Sequence, residues 1–267
     1  MNSAPLSCDV CLSSGMVPYP GMTGCGRELL TCSSCGLVMA RPGSRPSEPR
    51  PSSPREPRDD ERRAGVVRRL LESGRVLEVG CETGGVLAAL DPELYVVTGI
   101  EPNPLDAAIA RERLQSVGAR GGVPGGDLVH GGLPAETFDL VALFGYLGRS
   151  GSPRAVLMEV SRLLRPGGCV LIETPSLASL TAWLRGARWQ PLHDPVVDYF
   201  FTPDTLRRLV TTCGFEPGAV RPSLAAGWPH PGIVVYVARK VGAAVRVDEP
   251  SVEVEVISPI GSPLGAN

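Results

Sequence analysis

The sequence predicts an α/β protein in which helices cover both faces of a largely parallel β-sheet, with a small cysteine-rich module ahead of it. Apolar strand-like runs alternate with helical runs from about residue 62 to residue 240, a pattern typical of parallel sheets. One strand ends in a glycine-rich turn at residues 76–85, and two cysteine pairs precede the α/β part. A chain of 267 residues has room for one good-sized core and a small appended module.

The glycine-rich turn is the stretch around which the chain is organised. Its sequence, Val-Leu-Glu-Val-Gly-Cys-Glu-Thr-Gly-Gly, precedes an apolar helical run at residues 86–90. A strand that turns sharply into a helix gathers backbone N–H groups and the positive helix end at one point. The next strand, residues 95–100, ends in Glu101, and a carboxylate there can accept both hydroxyls of a ribose. We interpret this region as half of a nucleoside-binding site.

The composition disfavours two kinds of partner. A hydrophobic content of 43%, 20% charged residues and a net charge of −2 are those of an ordinary soluble protein without a general attraction to nucleic acid or membranes. No apolar run reaches the roughly 18 residues that span a bilayer, and no secretory signal is visible. We therefore expect a cytoplasmic protein with no membrane partner.

Four cysteines in two pairs predict a zinc site. Cys8 and Cys11 form one Cys-x-x-Cys pair, Cys32 and Cys35 form another, and 20 residues separate the pairs. Two such turns supply four thiolates to a tetrahedral ion, which leaves no open position, so the site should be structural. Disulfides and a chance spacing are the alternatives, and a cytosolic location disfavours the disulfides. Cys25 is a fifth cysteine without an assigned role.

Differences in local composition divide the chain into four parts. Residues 1–40 form the cysteine module, and residues 41–60 form a linker rich in proline, arginine and serine, which we expect to be extended. Its arginines are either solvated or a nucleic-acid contact. Residues 61–241 form the α/β domain, beginning with a helix over residues 59–74, and a disordered tail is expected from residue 242 to residue 267.

Other elements follow from local patterns. Residues 138–144 form an apolar strand, and Ser152-Pro153 and Thr202-Pro203 are helix starts, with an N-cap hydroxyl followed by proline at the first helical position. A turn at residues 165–168 precedes a strand at residues 169–172. The glycine-rich residues 118–132 include Asp127, which is either a turn residue or a contact to an adenine amino group.

In this order the elements resemble a class I S-adenosylmethionine-dependent methyltransferase over roughly residues 62–240. The resemblance rests on residues 77–84, 99–102, 138–141 and on the Leu-Leu-Arg-Pro-Gly-Gly sequence at 163–168. More narrowly, the chain is similar to bacterial small-molecule methyltransferases with an N-terminal zinc ribbon, to which Trp189 and residues 199–203 and 213–215 correspond. The resemblance implies a Rossmann-like, seven-stranded, mostly parallel sheet with an antiparallel last strand, for which residues 233–240 are the candidate.

The resemblance also implies S-adenosylmethionine as cofactor and assigns its contacts. Residues of the glycine turn would shape the pocket for the methionine end, Glu101 would hold the ribose, Asp127 and Leu128 would flank the adenine, and Phe144 would wall the site near the sulfonium. The expected cofactor-binding residues are Glu78, Gly80, Cys81, Glu82, Gly84, Glu101, Pro102, Asp127, Leu128 and Phe144.

Three departures from the family pattern concern the chemistry. Glu82 stands where a small residue is usual, and it would crowd the cofactor carboxylate, turn into solvent or attract the ammonium group. Gly148-Arg149 replaces a Glu-His pair, and Val197 replaces a histidine. The remaining candidates for an acid or base are His193 and Tyr199, with Tyr146 as a further one, and Arg149 either orients an acidic substrate or is solvated. The aromatic residues near Trp189 line either an acceptor pocket or the core.

The function predicted on this basis is methyl transfer to an oxygen, nitrogen or carbon atom of a small-molecule acceptor. Positioning the acceptor in line supplies most of the rate, and a base is needed only if the acceptor must lose a proton. Two alternatives stay open. One is an RNA methyltransferase, which the charge balance disfavours, and the other is a degenerate, non-catalytic domain that acts through its zinc ribbon.

Overall fold

The protein is described here from a computed structural model, which covers residues 6–22, 25–42, 57–128, 132–222 and 232–241. The strands in chain order are β1 (Met16–Pro18), β2 (Leu29–Cys32), β3 (Val38–Ala40), β4 (Gly74–Val79), β5 (Tyr95–Ile100), β6 (Arg120–Gly122), β7 (Phe138–Phe144), β8 (Leu164–Pro175), β9 (Tyr199–Phe200), β10 (Phe215–Pro222) and β11 (Ile233–Lys240). The helices are α1 (Pro57–Leu70), α2 (Gly85–Ala88), α3 (Pro104–Ser116), α4 (Pro153–Leu163), α5 (Leu180–Arg185) and α6 (Pro203–Thr212). Most of the expected linker and the whole expected tail lie outside the described residues.

Within the described residues, seven strands form one sheet in the order β6-β5-β4-β7-β8-β11-β10. The pairs from β6 to β8 are parallel, and β11 is antiparallel to both β8 and β10. The predicted Rossmann-like sheet and its antiparallel strand at residues 233–240 are thereby confirmed. The carboxyl ends of β4, β5, β7 and β8 consequently share one edge, where ligands of such sheets bind.

The helix starts follow the sequence closely. The Ser152 hydroxyl caps α4 by accepting from the Ala155 amide, and proline follows it. Thr202 and Thr205 form a reciprocal capping box at the start of α6. These side chains satisfy amides that have no partner within the first helical turn.

Two boundaries differ from the expectation. The helix predicted to end at Gly74 ends at Leu70, because Gly74 (φ +143°) already begins β4 and donates its amide to the Leu94 carbonyl. The turn predicted before residue 169 lies inside β8. There the pairing register shifts between Phe138 opposite Leu164 and Leu140 opposite Cys169, so the residues between them bulge out of the strand.

The cysteine module forms a four-stranded sheet with part of the α/β domain, which is the main domain of the protein. Its order is β1-β2-β3-β9, and β9 pairs with β3 through Val38 opposite Phe200 and Met39 opposite Tyr199. Side chains of the module, including Cys8, Val10 and Leu37, belong to the same buried cluster as residues of α4 and α6. The module is therefore packed into the main domain.

Candidate functional site

The tips of β4 and β5 lie side by side and bring together the glycine turn and the carboxylate of the predicted nucleoside half-site. Val79 is opposite Ile100 in the parallel pair. Beyond this point, the amides of Gly80 and Cys81 both donate to the Ile100 carbonyl, at 2.8 and 3.1 Å. The glycine turn is thus fastened to the end of β5, immediately before Glu101.

Glu101 is held by backbone amides and is 7% exposed. Its Oε2 accepts from the Glu82 amide at 2.9 Å, and its Oε1 accepts from the Asn103 amide at 2.8 Å. Glu82 adopts a left-handed conformation (φ +49°), and its amide donates to Glu101 from this turn. Because each carboxylate oxygen can accept more than one hydrogen bond, Glu101 retains capacity for two hydroxyl groups.

Two glycines of the turn are required by close packing. Gly80 (φ +70°) lies so near Tyr146 that an added Cβ would be 2.7 Å from its Cδ2. At Gly84 (φ +73°) a Cβ would be 3.0 Å from the Cβ of Ala110 on α3. Glycine is the residue that tolerates both this conformation and this approach.

Tyr146 covers the glycine turn and was missed as a pocket residue, because the sequence indicated it only as one more candidate base. Burial raises the pKa of its phenol above the ordinary value, and the negative charges of Asp127 and Glu101 raise it further. The phenol therefore stays protonated near neutral pH and lies in the field of Asp127 and Glu101, two of the predicted cofactor-binding carboxylates. An aromatic residue two positions after a buried strand is the pattern that could have indicated this role.

The other predicted cofactor residues occupy varied environments. Glu78, Cys81, Leu128 and Phe144 are buried, whereas Pro102 and Asp127 are exposed. The Cys81 thiol fills the space next to Gly99, where a Cβ would be 2.6 Å from its Sγ. Cys81 therefore faces the sheet core with its side chain, and its backbone is the part that belongs to the turn.

The tips of β7 and β8 carry a buried ion pair that the sequence analysis missed. Glu173 is 2% exposed and lies opposite Phe144 in the parallel pair. Arg63 of α1 donates Nε to Glu173 Oε2 at 3.0 Å and Nη2 to Oε1 at 2.6 Å. The same guanidinium lies 5.2 Å from the centroid of the Phe144 ring, within the range of a cation–π contact. This cluster fixes α1 across the strand tips.

The two candidate acid/base residues lie in different surroundings. His193 is exposed, and its Nε2 is 2.8 Å from the Ala187 carbonyl oxygen. Tyr199 is buried, donates its hydroxyl to the Gly151 carbonyl at 3.1 Å and lines a cavity of about 220 Å³ together with Arg41 and Asp198. Arg149, the candidate for orienting an acidic substrate, forms an ion pair of 3.2 Å with Asp194.

The aromatic residues before α6 belong to the core. Trp189 and Phe200 are buried, their ring centroids are 6.3 Å apart, and they share a cluster with Leu29 and Val38 of the cysteine module. Of the two interpretations of these residues, the structure supports the core.

The four paired cysteines converge. Their Sγ atoms all lie within 4.8 Å of one another, and the Cys8–Cys35 and Cys11–Cys32 distances are both 3.5 Å. A tetrahedral ion with Zn–S bonds of 2.3 Å requires sulfur atoms about 3.8 Å apart, so the four thiols fit zinc. Burial raises the pKa of Cys8 to about 11. For Cys32, burial is outweighed by hydrogen bonds from the Cys35 and Ser34 amides and neighbouring thiols, which lower the pKa to about 7.

The sheet order and the carboxylate at the tip of β5 define the class I S-adenosylmethionine-dependent methyltransferase fold. A family model described as a methyltransferase domain matches residues 55–219, more than half of the chain. The chain belongs to this family of S-adenosylmethionine-dependent methyltransferases.

One curated relative is the human thiol S-methyltransferase TMT1B. It is 32% identical to this chain over 130 residues, which are 46% of this chain and 51% of the human protein. The chain thus spans about half the length of this relative.

Solved structures share the fold at low sequence identity. The [4+2]-cyclase SpnF has a TM-score of 0.56 and 20% identity, covering 68% of this chain and 81% of its own. An S-adenosylmethionine-dependent methyltransferase from Methanosarcina mazei has a TM-score of 0.54 and 21% identity, covering 66% and 97%. Because one of these proteins is a cyclase, the fold alone does not determine the reaction.

Proposed function

We propose that this protein transfers the methyl group of S-adenosylmethionine to an oxygen, nitrogen or carbon atom of a small-molecule acceptor. The observation that supports this most is Glu101, a buried carboxylate above the glycine turn whose described hydrogen bonds come from two backbone amides. Such a group accepts hydroxyl donors without a competing cation. The family membership agrees with this choice of cofactor.

The residues present fit the cofactor by their chemistry. Glu101 would accept the two ribose hydroxyls, Gly80 and Gly84 would allow the backbone to approach the methionine end, and Asp127 with Leu128 would flank the adenine. Phe144 would bound the site near the sulfonium, and Glu78 would help to shape the methionine end. Glu82, Pro102 and the backbone of Cys81 would complete the wall of the site. When bound, the cofactor supplies a methyl group on a positively charged sulfur, which needs no further activation.

The protein then contributes binding, orientation and exclusion of water. Holding an acceptor atom in line with the methyl group converts an encounter of two molecules into a reaction within one complex. An acceptor that must lose a proton needs a base, and His193 and Tyr199 stay our candidates for it. Tyr199 would need to exchange its bond to Gly151, so His193, which is exposed, is the more accessible of the two.

The small-molecule class of acceptor is supported by the human relative, which acts on thiols by its name, and by the net charge of −2. Nucleic acid is a less suitable partner, because a protein that grips it needs a concentration of positive charge. Within the described residues, no helix combines the length and the apolar character needed to cross a membrane. A cytoplasmic location remains our prediction.

We further propose that Cys8, Cys11, Cys32 and Cys35 hold one structural Zn²⁺. Four thiolates complete its coordination, so this ion would stabilise the module and take no part in methyl transfer. Metal analysis of purified protein should give about one zinc per chain by this stoichiometry. A Cys32→Ser variant should lose most of it, with a Cys25→Ser variant as the control that keeps it. Undiminished zinc in Cys32→Ser would contradict the assignment.

The proposed reaction is tested by calorimetry with S-adenosylhomocysteine, the product form of the cofactor, on zinc-loaded protein. Binding that depends on Glu101, followed by methylation of oxygen, nitrogen, carbon and thiol acceptors from a labelled cofactor, is the expected result. Absence of binding would favour the degenerate alternative. Salt-sensitive binding of RNA, with methylation of RNA in place of small molecules, would favour the other alternative.

A further inference from the structure

The first cysteine turn is hydrogen-bonded to the start of α4. Asp9 directly follows Cys8 in that turn. Its carboxylate accepts from the Ser152 hydroxyl at 2.8 Å and from the Arg154 amide at 2.6 Å. A negative charge at a helix N-terminus is favourable, because it meets unpaired amides and the positive end of the helix dipole. Asp9 therefore adds a cap to α4 from more than 140 residues away in the sequence.

The start of α4 in turn donates hydrogen bonds to the first cysteine turn. Arg154 donates Nε to the Asp9 carbonyl at 3.0 Å and also donates to the Val10 carbonyl, while its guanidinium reaches Thr212 at the end of α6. One arginine thus binds two carbonyls of the turn that carries the first cysteine pair. These hydrogen bonds fasten the turn to the first turn of α4.

A second connection joins the module to the segment before α6. The Ala40 amide donates to the Asp198 carbonyl at 2.8 Å, next to the pairing of β3 with β9. Arg27, with 9% of its side chain exposed, binds the carbonyls of Asp194 and Val197 at 2.9 and 2.7 Å and the Asp198 carboxylate at 3.1 Å.

Between these two connections lies the loop of residues 145–151, which we name the β7–α4 loop. Its Gly148 carbonyl accepts from the Asp198 amide at 2.8 Å, and its Gly151 carbonyl accepts from Tyr199 at 3.1 Å. Ser152, bound by Asp9, follows directly. The loop carries Tyr146, the residue that covers Gly80.

We propose that the cysteine module positions the β7–α4 loop for cofactor binding, and that Asp9 is the positioning residue through which the module acts. Asp9 acts through Ser152, Arg154 and the loop that holds Tyr146 over the glycine turn. The inference rests on the proposed function, since the site that the loop covers is the proposed cofactor site. It assigns the N-terminal module a role in methyl transfer without a contact to the cofactor.

The test compares full-length, zinc-loaded variants. Asp9→Ala should keep about one zinc per chain, because the four cysteines supply all of its ligands. Its affinity for S-adenosylhomocysteine should fall roughly tenfold, because the loop is held less firmly. Hydrogen exchange should accelerate in residues 145–155 and stay unchanged in β5. Asp9→Asn, which keeps one acceptor oxygen, should lie between Asp9→Ala and wild type. Asp91→Ala is the matched control, because Asp91 accepts from the Glu93 amide in an exposed turn elsewhere.

An Asp9→Ala protein with wild-type affinity and wild-type exchange in residues 145–155 would overturn the proposal. If Asp9→Ala does not fold, Arg154→Met serves instead, since it removes the guanidinium bonds but keeps the amide that caps with Asp9, and it should accelerate exchange in the same residues. If the wild-type protein itself binds no S-adenosylhomocysteine, the proposed function fails, and the exchange measurement still decides whether the module positions the loop.

Discussion

Two glutamates at the same edge of the sheet have opposite surroundings. Glu101 at the tip of β5 is bound by two backbone amides, whereas Glu173 at the tip of β8 is bound by Nε and Nη2 of the Arg63 guanidinium. Both are buried. Within the part of the chain that the structure describes, Glu101 is held by amides and not by a cation, so it is suited to accept ligand hydroxyls, while Arg63 satisfies Glu173 within the protein.

Position at a strand tip therefore does not by itself make a carboxylate a ligand site. Whether amides or a guanidinium bind the carboxylate decides if it can still accept a ligand. Glu101 should therefore matter mainly for binding, and Glu173 mainly for stability and for the placement of α1. Substitutions at the two positions should separate these roles.

Replacing Glu101 should have the largest effect on binding. Hydrogen bonds to a charged group contribute about 1.5–3 kcal/mol each, so the loss of two in Glu101→Ala should weaken S-adenosylhomocysteine binding by about a hundredfold or more. Calorimetry measures this directly. Glu216→Ala, at an exposed position of β10, is the control, and equal affinity of the two variants would refute the role of Glu101.

Breaking the Arg63–Glu173 pair should have the largest effect on stability. Removing one partner of a buried ion pair typically costs about 3–5 kcal/mol, because the other charge is left uncompensated. Arg63→Met and Glu173→Gln should therefore each lower the free energy of unfolding by about this amount in urea titrations. The double variant should cost less than the sum of the two. Additive losses would mean that the pair does not act as a unit.

A Tyr146→Phe variant should change the pH dependence of stability. Because burial raises the pKa of Tyr146 in the folded protein, its contribution is complete below the ordinary tyrosine pKa of about 10 and is lost as the pH rises above it. Urea titrations from pH 8 to about pH 11 should show the wild type losing more stability than Tyr146→Phe. Parallel curves would show that the phenol is not buried against the carboxylates.

The smallest effect is expected for Glu82→Gly. Glu82 has a left-handed backbone (φ +49°), which costs a residue with a Cβ about 1 kcal/mol relative to glycine. The variant should be as stable as the wild type or slightly more so, with S-adenosylhomocysteine affinity equal or improved. Thermal unfolding and calorimetry measure both quantities, and a clear loss of affinity would show that the Glu82 carboxylate contributes to the site.

The meeting of the glycine turn with Glu101 was predictable because its determinants are local. A glycine turn after one strand and a carboxylate after the next are about 20 residues apart, and parallel pairing brings them together in any sheet of this kind. The seven-stranded sheet and the antiparallel β11 were implied by the resemblance to methyltransferases, whereas the capped starts of α4 and α6 followed from short local patterns. The convergence of the four cysteines followed from the spacing of two short turns.

The Arg63–Glu173 pair and the contact of Asp9 with α4 were not predictable, because they join residues far apart in the sequence. Arg63 and Glu173 are 110 positions apart, and Asp9 and the Arg154 amide are 145 apart. The motifs near Asp9 and Arg154 predict a metal turn and a helix start, but they do not indicate that the two residues bind each other. The pairing of β9 with β3 likewise depends on two strands of two and three residues, too short to be recognised, and it moved the aromatic residues from a possible pocket into the core.

A crystal structure with bound S-adenosylhomocysteine tests directly whether Glu101 holds the ribose of the cofactor. We predict that the ribose hydroxyls lie within hydrogen-bonding distance of the Glu101 carboxylate, with the glycine turn against the homocysteine end and Glu173 still bound to Arg63. An adenosyl group bound elsewhere, or a ribose held by other residues while Glu101 keeps only its two amides, would contradict the proposed role of Glu101.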